Sequence, residues 1–121
     1  MLSSMPQIFV IGKDCIAAIG SPGGSTIITQ VFEGILAFMQ GESAVQIASQ
    51  PRYHHQYLPD VVYVEPNAFD AVTSKALIDM GYDIKERGHL GFMNVVTWDL
   101  RANKLDAASD PRHESGLGEV K

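Results

Sequence analysis

Apolar positions along this chain come first as short runs and then as helical stripes. Ile8 to Ile11 is apolar, Gly12-Lys13-Asp14 reads as a turn, and Cys15 to Ile19 is apolar again. Two such runs about a glycine-containing connection predict a β-hairpin with both strands buried. Gly20-Ser21-Pro22-Gly23-Gly24 is too rich in Gly and Pro for regular structure. Beyond it Ile28, Val31, Phe32, Ile35 and Met39 share one helical stripe, so a helix capped by Ser25 is expected to run to about Gln40, with that stripe in the core and Gly41 as the stop. Ser43 is expected to cap a shorter helix through about Ser49, ended by Pro51. Arg52 to Asp60 is expected to be irregular and Val61 to Val64 to be a strand. Asn67 is expected to cap a third helix with Phe69, Val72, Ala76 and Met80 on one side and Gly81 at its end. Tyr82 to Glu86 predicts a strand, and Met93 to Asp99 with Lys104 to Ala108 a second hairpin around Arg101-Ala102-Asn103. Hairpins interspersed with helices point to an α+β or layered α/β fold with a mostly antiparallel sheet.

Composition narrows the class without naming a function. The chain has 121 residues, 45% hydrophobic and 19% charged, enough for one domain with a single core. A net charge of −5 gives no basic surface for nucleic acid or anionic lipid, and no apolar run reaches the roughly 18 residues of a membrane helix. No signal peptide is legible at the N-terminus. Cys15 is the one cysteine; within an apolar run it reads as a buried, inert thiol. The residues after Arg112 form a polar, Gly-containing tail.

Four local patterns could carry chemistry. At Gly20 to Ser25 a glycine pair sits between a strand and a helix. There the backbone can approach a ligand closely, with free N–H groups and the helix N-terminus favouring negative charge. That is an anion or oxyanion site, or else a tight structural turn. It lacks the Gly-Lys-Ser/Thr ending of a P-loop and does not fit GxGxxG. Ser3 and Ser4 offer paired hydroxyls to a carboxylate, or simply begin a solvated N-terminal stretch. His54 and His55 are adjacent in an extended segment and so point opposite ways, which favours a structural role over a shared metal ion. Asp110 and Arg112 flank a proline, as in an ion pair that closes a turn. Neither a Ser-His-Asp set nor metal-ligand spacing can be assembled, and no cofactor is called for.

Leu2-Ser3-Ser4-Met5, Gly20 to Ser25 followed by an Ile-Ile-Thr helix start, Pro51-Arg52-Tyr53-His54-His55-Gln56-Tyr57-Leu58-Pro59-Asp60, and Ala108 to Arg112 occur in this order and at fitting spacing in gamma-glutamyltransferases. The chain resembles the C-terminal part of that family's small subunit from about Leu2 to Arg112, with 113–121 as the tail. The resemblance implies the αββα sandwich of N-terminal-nucleophile hydrolases. It also implies a precursor that cuts itself, and a Thr nucleophile that takes the γ-glutamyl group of glutathione or a similar γ-glutamyl compound and passes it to water, an amino acid or a peptide. It maps the oxyanion hole to Gly23 and Gly24 and the α-carboxylate contacts to Ser3 and Ser4. The nucleophilic Thr, the residues that orient the substrate's amino end, and a carboxylate-binding Arg lie upstream in the family. This chain departs from the pattern where Met5 runs directly into Pro6, and around Leu90 to Asn94. Bacterial relatives imply a periplasmic or secreted parent.

Three readings follow. The chain supplies an oxyanion hole to a transferase completed by other residues, or it is a non-catalytic fragment that oligomerises, or it is a small anion-binding protein. Alone it is expected to be inactive, for want of a nucleophile. It is also expected to expose a sheet edge and an apolar face, and hence to dimerise or exchange strands.

Overall fold

In chain order the elements are β1 (Gln7–Ile11), β2 (Cys15–Gly20), a 3-10 turn (Gly24–Thr26), α1 (Ile27–Met39), α2 (Ala44–Ser49), β3 (Tyr53–His55), β4 (Val61–Val64), α3 (Ala71–Asp79), β5 (Asp83–Glu86), β6 (Asn94–Asp99) and β7 (Lys104–Ser109). The computed structural model describes residues 7–112. They fall into two compact units, one of residues 7–49 and 91–112 and one of residues 50–90. The mixture of helices and mainly antiparallel strands is the α+β class expected from the sequence. Ser3 and Ser4 lie outside the described residues.

The first unit is a four-stranded sheet in the order β1-β2-β6-β7, antiparallel throughout. Both hairpins form where the apolar runs predict them, but β1 is not buried as expected: it is an edge strand with Ile8, Phe9 and Ile11 exposed. At the β6–β7 connection Asp99 Oδ1 accepts the N–H groups of Arg101 and Ala102 at 2.9 and 3.0 Å, and Asn103 takes φ 48°. The sheet's two faces alternate along each strand. Ala17, Ile19, Val95 and Ala108 are buried with Val31 and Ala37 of α1, with Ala44, Ile47 and Ala48 of α2, and with Met93. The opposite face carries the cross-strand rows Phe9–Ala18–Val96–Ala107 and Ile11–Ile16–Trp98–Leu105. Phe9, Ile11, Val96, Trp98 and Leu105 of that face are exposed.

The helices correct the expectation in their details. α1 does not start from Ser25. Positive φ at Gly23 (149°) and Gly24 (62°) winds the chain into the 3-10 turn first, so the helix begins at Ile27. The expected stripe also splits. Val31 is buried and Ile35 half-buried, but Ile28, Phe32 and Met39 are exposed, because α1 turns its narrow Gln30–Val31–Gly34–Ala37 face to the sheet. Small residues there permit close approach. Gly41 at φ 86° ends α1, with Glu42 N–H donating to the Ala37 carbonyl at 3.1 Å, and Ser43 caps α2 reciprocally with Gln46. Cys15 is half-buried rather than enclosed.

In the second unit the order is β3-β4-β5, with β3–β4 antiparallel and β4–β5 parallel across α3. Tyr53 to His55, expected to be irregular, pairs with Val62 to Val64. The cap of α3 is Asp70 and not Asn67. Asp70 Oδ1 accepts from Thr73 N–H at 2.7 Å, while Asn67 occupies a turn at φ 64°. No residue of α3 is buried, so the side that carries Val72, Ala76 and Met80 is not a core face, and Val72 and Met80 are exposed. Arg52 is fully buried. Its N–H donates to Glu65 Oε2 at 3.0 Å and its guanidinium to the Leu90 carbonyl at 3.2 Å, while Leu90 N–H donates to Glu65 Oε1 at 2.8 Å.

Candidate functional site

The glycine turn leaves the sheet at Gly20, the last residue of β2, which stands between Gln7 of β1 and Asn94 of β6 in register. The bend that follows is exposed at Gly23, Gly24 and Ser25 but backed by buried Ser21, Thr26 and Gln30. Gly23 combines φ 149° with ψ 17°, a conformation closed to residues with a Cβ. Space forbids one as well: a Cβ there would lie 2.9 Å from Gln30 Nε2. Gly24 is different. A Cβ would meet nothing within 4 Å, so φ 62° alone favours glycine.

The polar groups behind the bend are all engaged. Thr26 N–H and Thr26 Oγ1 donate to the Gly23 carbonyl at 3.3 and 2.8 Å. Gln30 Nε2 donates to Thr26 Oγ1 at 2.5 Å, and Ser21 Oγ donates to Gln30 Oε1. The groups in front are not. Among the described residues the N–H groups of Gly23 and Gly24 have no acceptor. No acidic side chain occupies the first turn of the 3-10 segment or of α1 to offset the helix's positive end. Two amides without an acceptor, at a helix start with no acidic side chain beside it, make a seat for negative charge. Gln30 and Gly91 were not singled out from the sequence. The available signal was a Gln on the narrow face of α1, one turn beyond Thr26.

The histidine and Asp110–Arg112 patterns are engaged within the fold. His54 is buried and its Nε2 is 2.9 Å from Gln56 Oε1. His55 is on the outer side of β3, 2.7 Å from Asp60 Oδ1. Among the described residues no three His, Cys, Asp or Glu side chains converge as metal ligands would. Asp110 and Arg112 form the expected turn-closing ion pair at 3.0 Å. The Asp110 carboxylate also takes the N–H groups of Met93 and Arg112 at 2.8 and 2.9 Å. It thereby ties the loop ahead of β6 to the end of β7.

The chain is similar to known proteins over nearly its whole length. The Gamma-glutamyltranspeptidase family model matches residues 1–120. The glutathione hydrolase proenzyme of Escherichia coli is 35% identical over 119 residues, which are 96% of this chain and 20% of that protein. That of Pseudomonas aeruginosa is 34% identical over 99% of this chain and 22% of its own length. An acivicin-inhibited gamma-glutamyltranspeptidase superposes with a TM-score of 0.82 at 32% identity, over 93% of this chain and 62% of the solved one. The Pseudomonas nitroreducens enzyme complexed with L-DON gives 0.79 at 30%, over 100% and 64%. The chain thus spans about a fifth of its full-length relatives.

Proposed function

Because the chain belongs to the gamma-glutamyltranspeptidase family, whose members share the N-terminal-nucleophile hydrolase fold, we propose that it supplies the oxyanion hole of a γ-glutamyl-transferring enzyme. In this reading Gly23 and Gly24 donate their N–H groups to the γ-carbonyl oxygen of glutathione or a related γ-glutamyl compound, as the carbon becomes tetrahedral and the oxygen negative. The observation that carries it is the arrangement of the bend: its inner carbonyl is fully engaged while its two outer amides are free at a helix start.

Ser3 and Ser4 hold the substrate α-carboxylate. The topology supports this, because β1 begins opposite Gly20 and Ser4 precedes Gln7 by a span of at most about 11 Å. The attacking Thr comes from the part of the enzyme that these 121 residues do not include. That part also covers the apolar rows of Phe9 and Trp98, since the αββα sandwich stacks a second sheet on such a face.

The chain is to be assayed with a chromogenic γ-glutamyl anilide, alone and together with the Thr-bearing segment. Aniline release is expected only from the combination. Turnover by the chain alone would overturn the assignment of roles and direct attention to Ser3, Ser4, Ser25 and Cys15. The open sheet face favours a second arrangement for the chain by itself, in which two copies cover each other's apolar rows as a non-catalytic dimer. Light scattering on the isolated chain distinguishes that dimer from a monomer.

A further inference from the structure

The oxyanion reading raises the question of what fixes the direction of the donors, and the following inference rests on that reading. The Gly23 carbonyl and the Gly24 N–H belong to one trans peptide plane, so they point opposite ways. Whatever grips the carbonyl from inside therefore aims the N–H outward. The grip is a one-way chain of donors. Ser21 Oγ donates to Gln30 Oε1, Gln30 Nε2 donates to Thr26 Oγ1 at 2.5 Å, and Thr26 Oγ1 donates to the Gly23 carbonyl at 2.8 Å. Ser21 and Gln30 are 0% and 1% exposed, so bulk water cannot replace a lost link.

Packing holds the chain in place from the other side. Gly91, at φ 71°, passes so close to the Gln30 carboxamide that any Cβ there would collide with it. Gly91 Cα also lies 3.8 Å from where a Gly23 Cβ would be. The arrangement is needed because two consecutive glycines present little steric resistance to rotation of the plane between them. A rotated plane would turn a carbonyl, not an N–H, toward the substrate oxygen.

We propose that Thr26 and Gln30 are positioning residues that lock the Gly23–Gly24 peptide plane with the Gly24 N–H facing the substrate. By polarising that peptide they also strengthen its donor. Neither residue touches substrate; both act through the Gly23 carbonyl.

The test uses the 15N-labelled full chain and reads the residual dipolar coupling of the Gly24 N–H, which reports bond direction. Thr26→Val is near-isosteric and removes the hydroxyl, Gln30→Met keeps length and removes the amide, and Thr26→Ser restores the hydroxyl. The expected result is a wild-type coupling that fits the outward direction, a changed coupling in Thr26→Val and Gln30→Met, and recovery in Thr26→Ser. The two disruptive variants are independent, so if one fails to fold the other still decides. An unchanged coupling in an otherwise native spectrum, for either disruptive variant, overturns the proposal.

Acetate added to the same samples probes the oxyanion reading separately. It is expected to shift the Gly24 amide in wild type and Thr26→Ser only. Absence of any wild-type shift would count against the oxyanion reading while leaving the couplings to judge the lock. In the enzyme completed by its Thr-bearing part, Thr26→Val is expected to lower kcat by about 100-fold with KM little changed, the effect of one lost oxyanion donor.

Discussion

Gly34 sets how closely α1 approaches the sheet, and Gly34→Ala tests that spacing quantitatively. Two effects of opposite sign compete. Replacing glycine by alanine inside a helix ordinarily stabilises by about 1 kcal/mol. Here the new Cβ would sit 3.1 Å from Met93 Sδ, 3.2 Å from Met93 Cε and 3.2 Å from Ile19 Cγ2. Both neighbours are 0% exposed, and Ile19 lies in a central strand. Forcing a methyl into such a site costs about 1–3 kcal/mol. Crowding from two sides therefore outweighs propensity, and the net expectation is a loss of about 1 kcal/mol, a fall in Tm of roughly 4 °C. Urea unfolding followed by Trp98 fluorescence measures it. Met93→Ala supplies the control. It should itself cost about 2–5 kcal/mol, and in its background Gly34→Ala should become neutral or stabilising, a coupling of about 1 kcal/mol or more. If Gly34→Ala stabilises the wild-type chain, or the two substitutions add, helix and sheet are not in the contact described. The matter bears on the site because the glycine turn rides on the N-terminus of α1.

Asp110→Ala is expected to cost about 3 kcal/mol by chemical denaturation, since it strips the half-buried Arg112 guanidinium of its carboxylate and the Met93 N–H of its acceptor. Asp70 is held below the usual carboxylate range by its hydrogen bonds to Thr73, side chain first and backbone second. Its capping contribution is thus fully present above the ordinary Asp pKa and lost as pH falls through the lowered folded value. The protection factors of the Thr73 and Ser74 amides, with the intrinsic pH dependence of exchange divided out, should fall on acidification, and in Asp70→Ala they should be low at every pH. Trp98→Lys places a charge in the open apolar rows and should shift the isolated chain from dimer toward monomer in light scattering. An assembly of unchanged size would show that association uses another surface.

Much of this architecture was legible from local patterns. The hairpins at Ile8–Ile19 and Met93–Ala108, the stop at Gly41, the Ser43 cap and the Asp110–Arg112 pair depend on neighbours in sequence, and the structure has them. What was not legible depends on tertiary contact. The α1 stripe was read as one buried face, but an apolar residue can face outward in a segment that other residues cover. Only the sheet's preference for Gly34 and Ala37 reveals which side is inner. Tyr53 to His55 became a strand because Val62 to Val64 offered it an edge. Asn67 lost the cap to Asp70 because its left-handed backbone belongs to a turn and not to an Ncap. The oxyanion candidates at Gly23 and Gly24 came from glycine chemistry together with family resemblance. Their support came from neither, because Thr26, Gln30 and Gly91 meet only when β2, α1 and the loop before β6 are folded together.

A structure of the completed enzyme, with its Thr captured by a γ-glutamyl analogue that mimics the tetrahedral intermediate, would measure the claim at its centre. The account predicts the analogue's anionic oxygen within about 2.7–3.1 Å of the Gly23 and Gly24 amide nitrogens, with Thr26 Oγ1 still on the Gly23 carbonyl. An oxygen bound by other donors, with those two amides turned away from it, would contradict it.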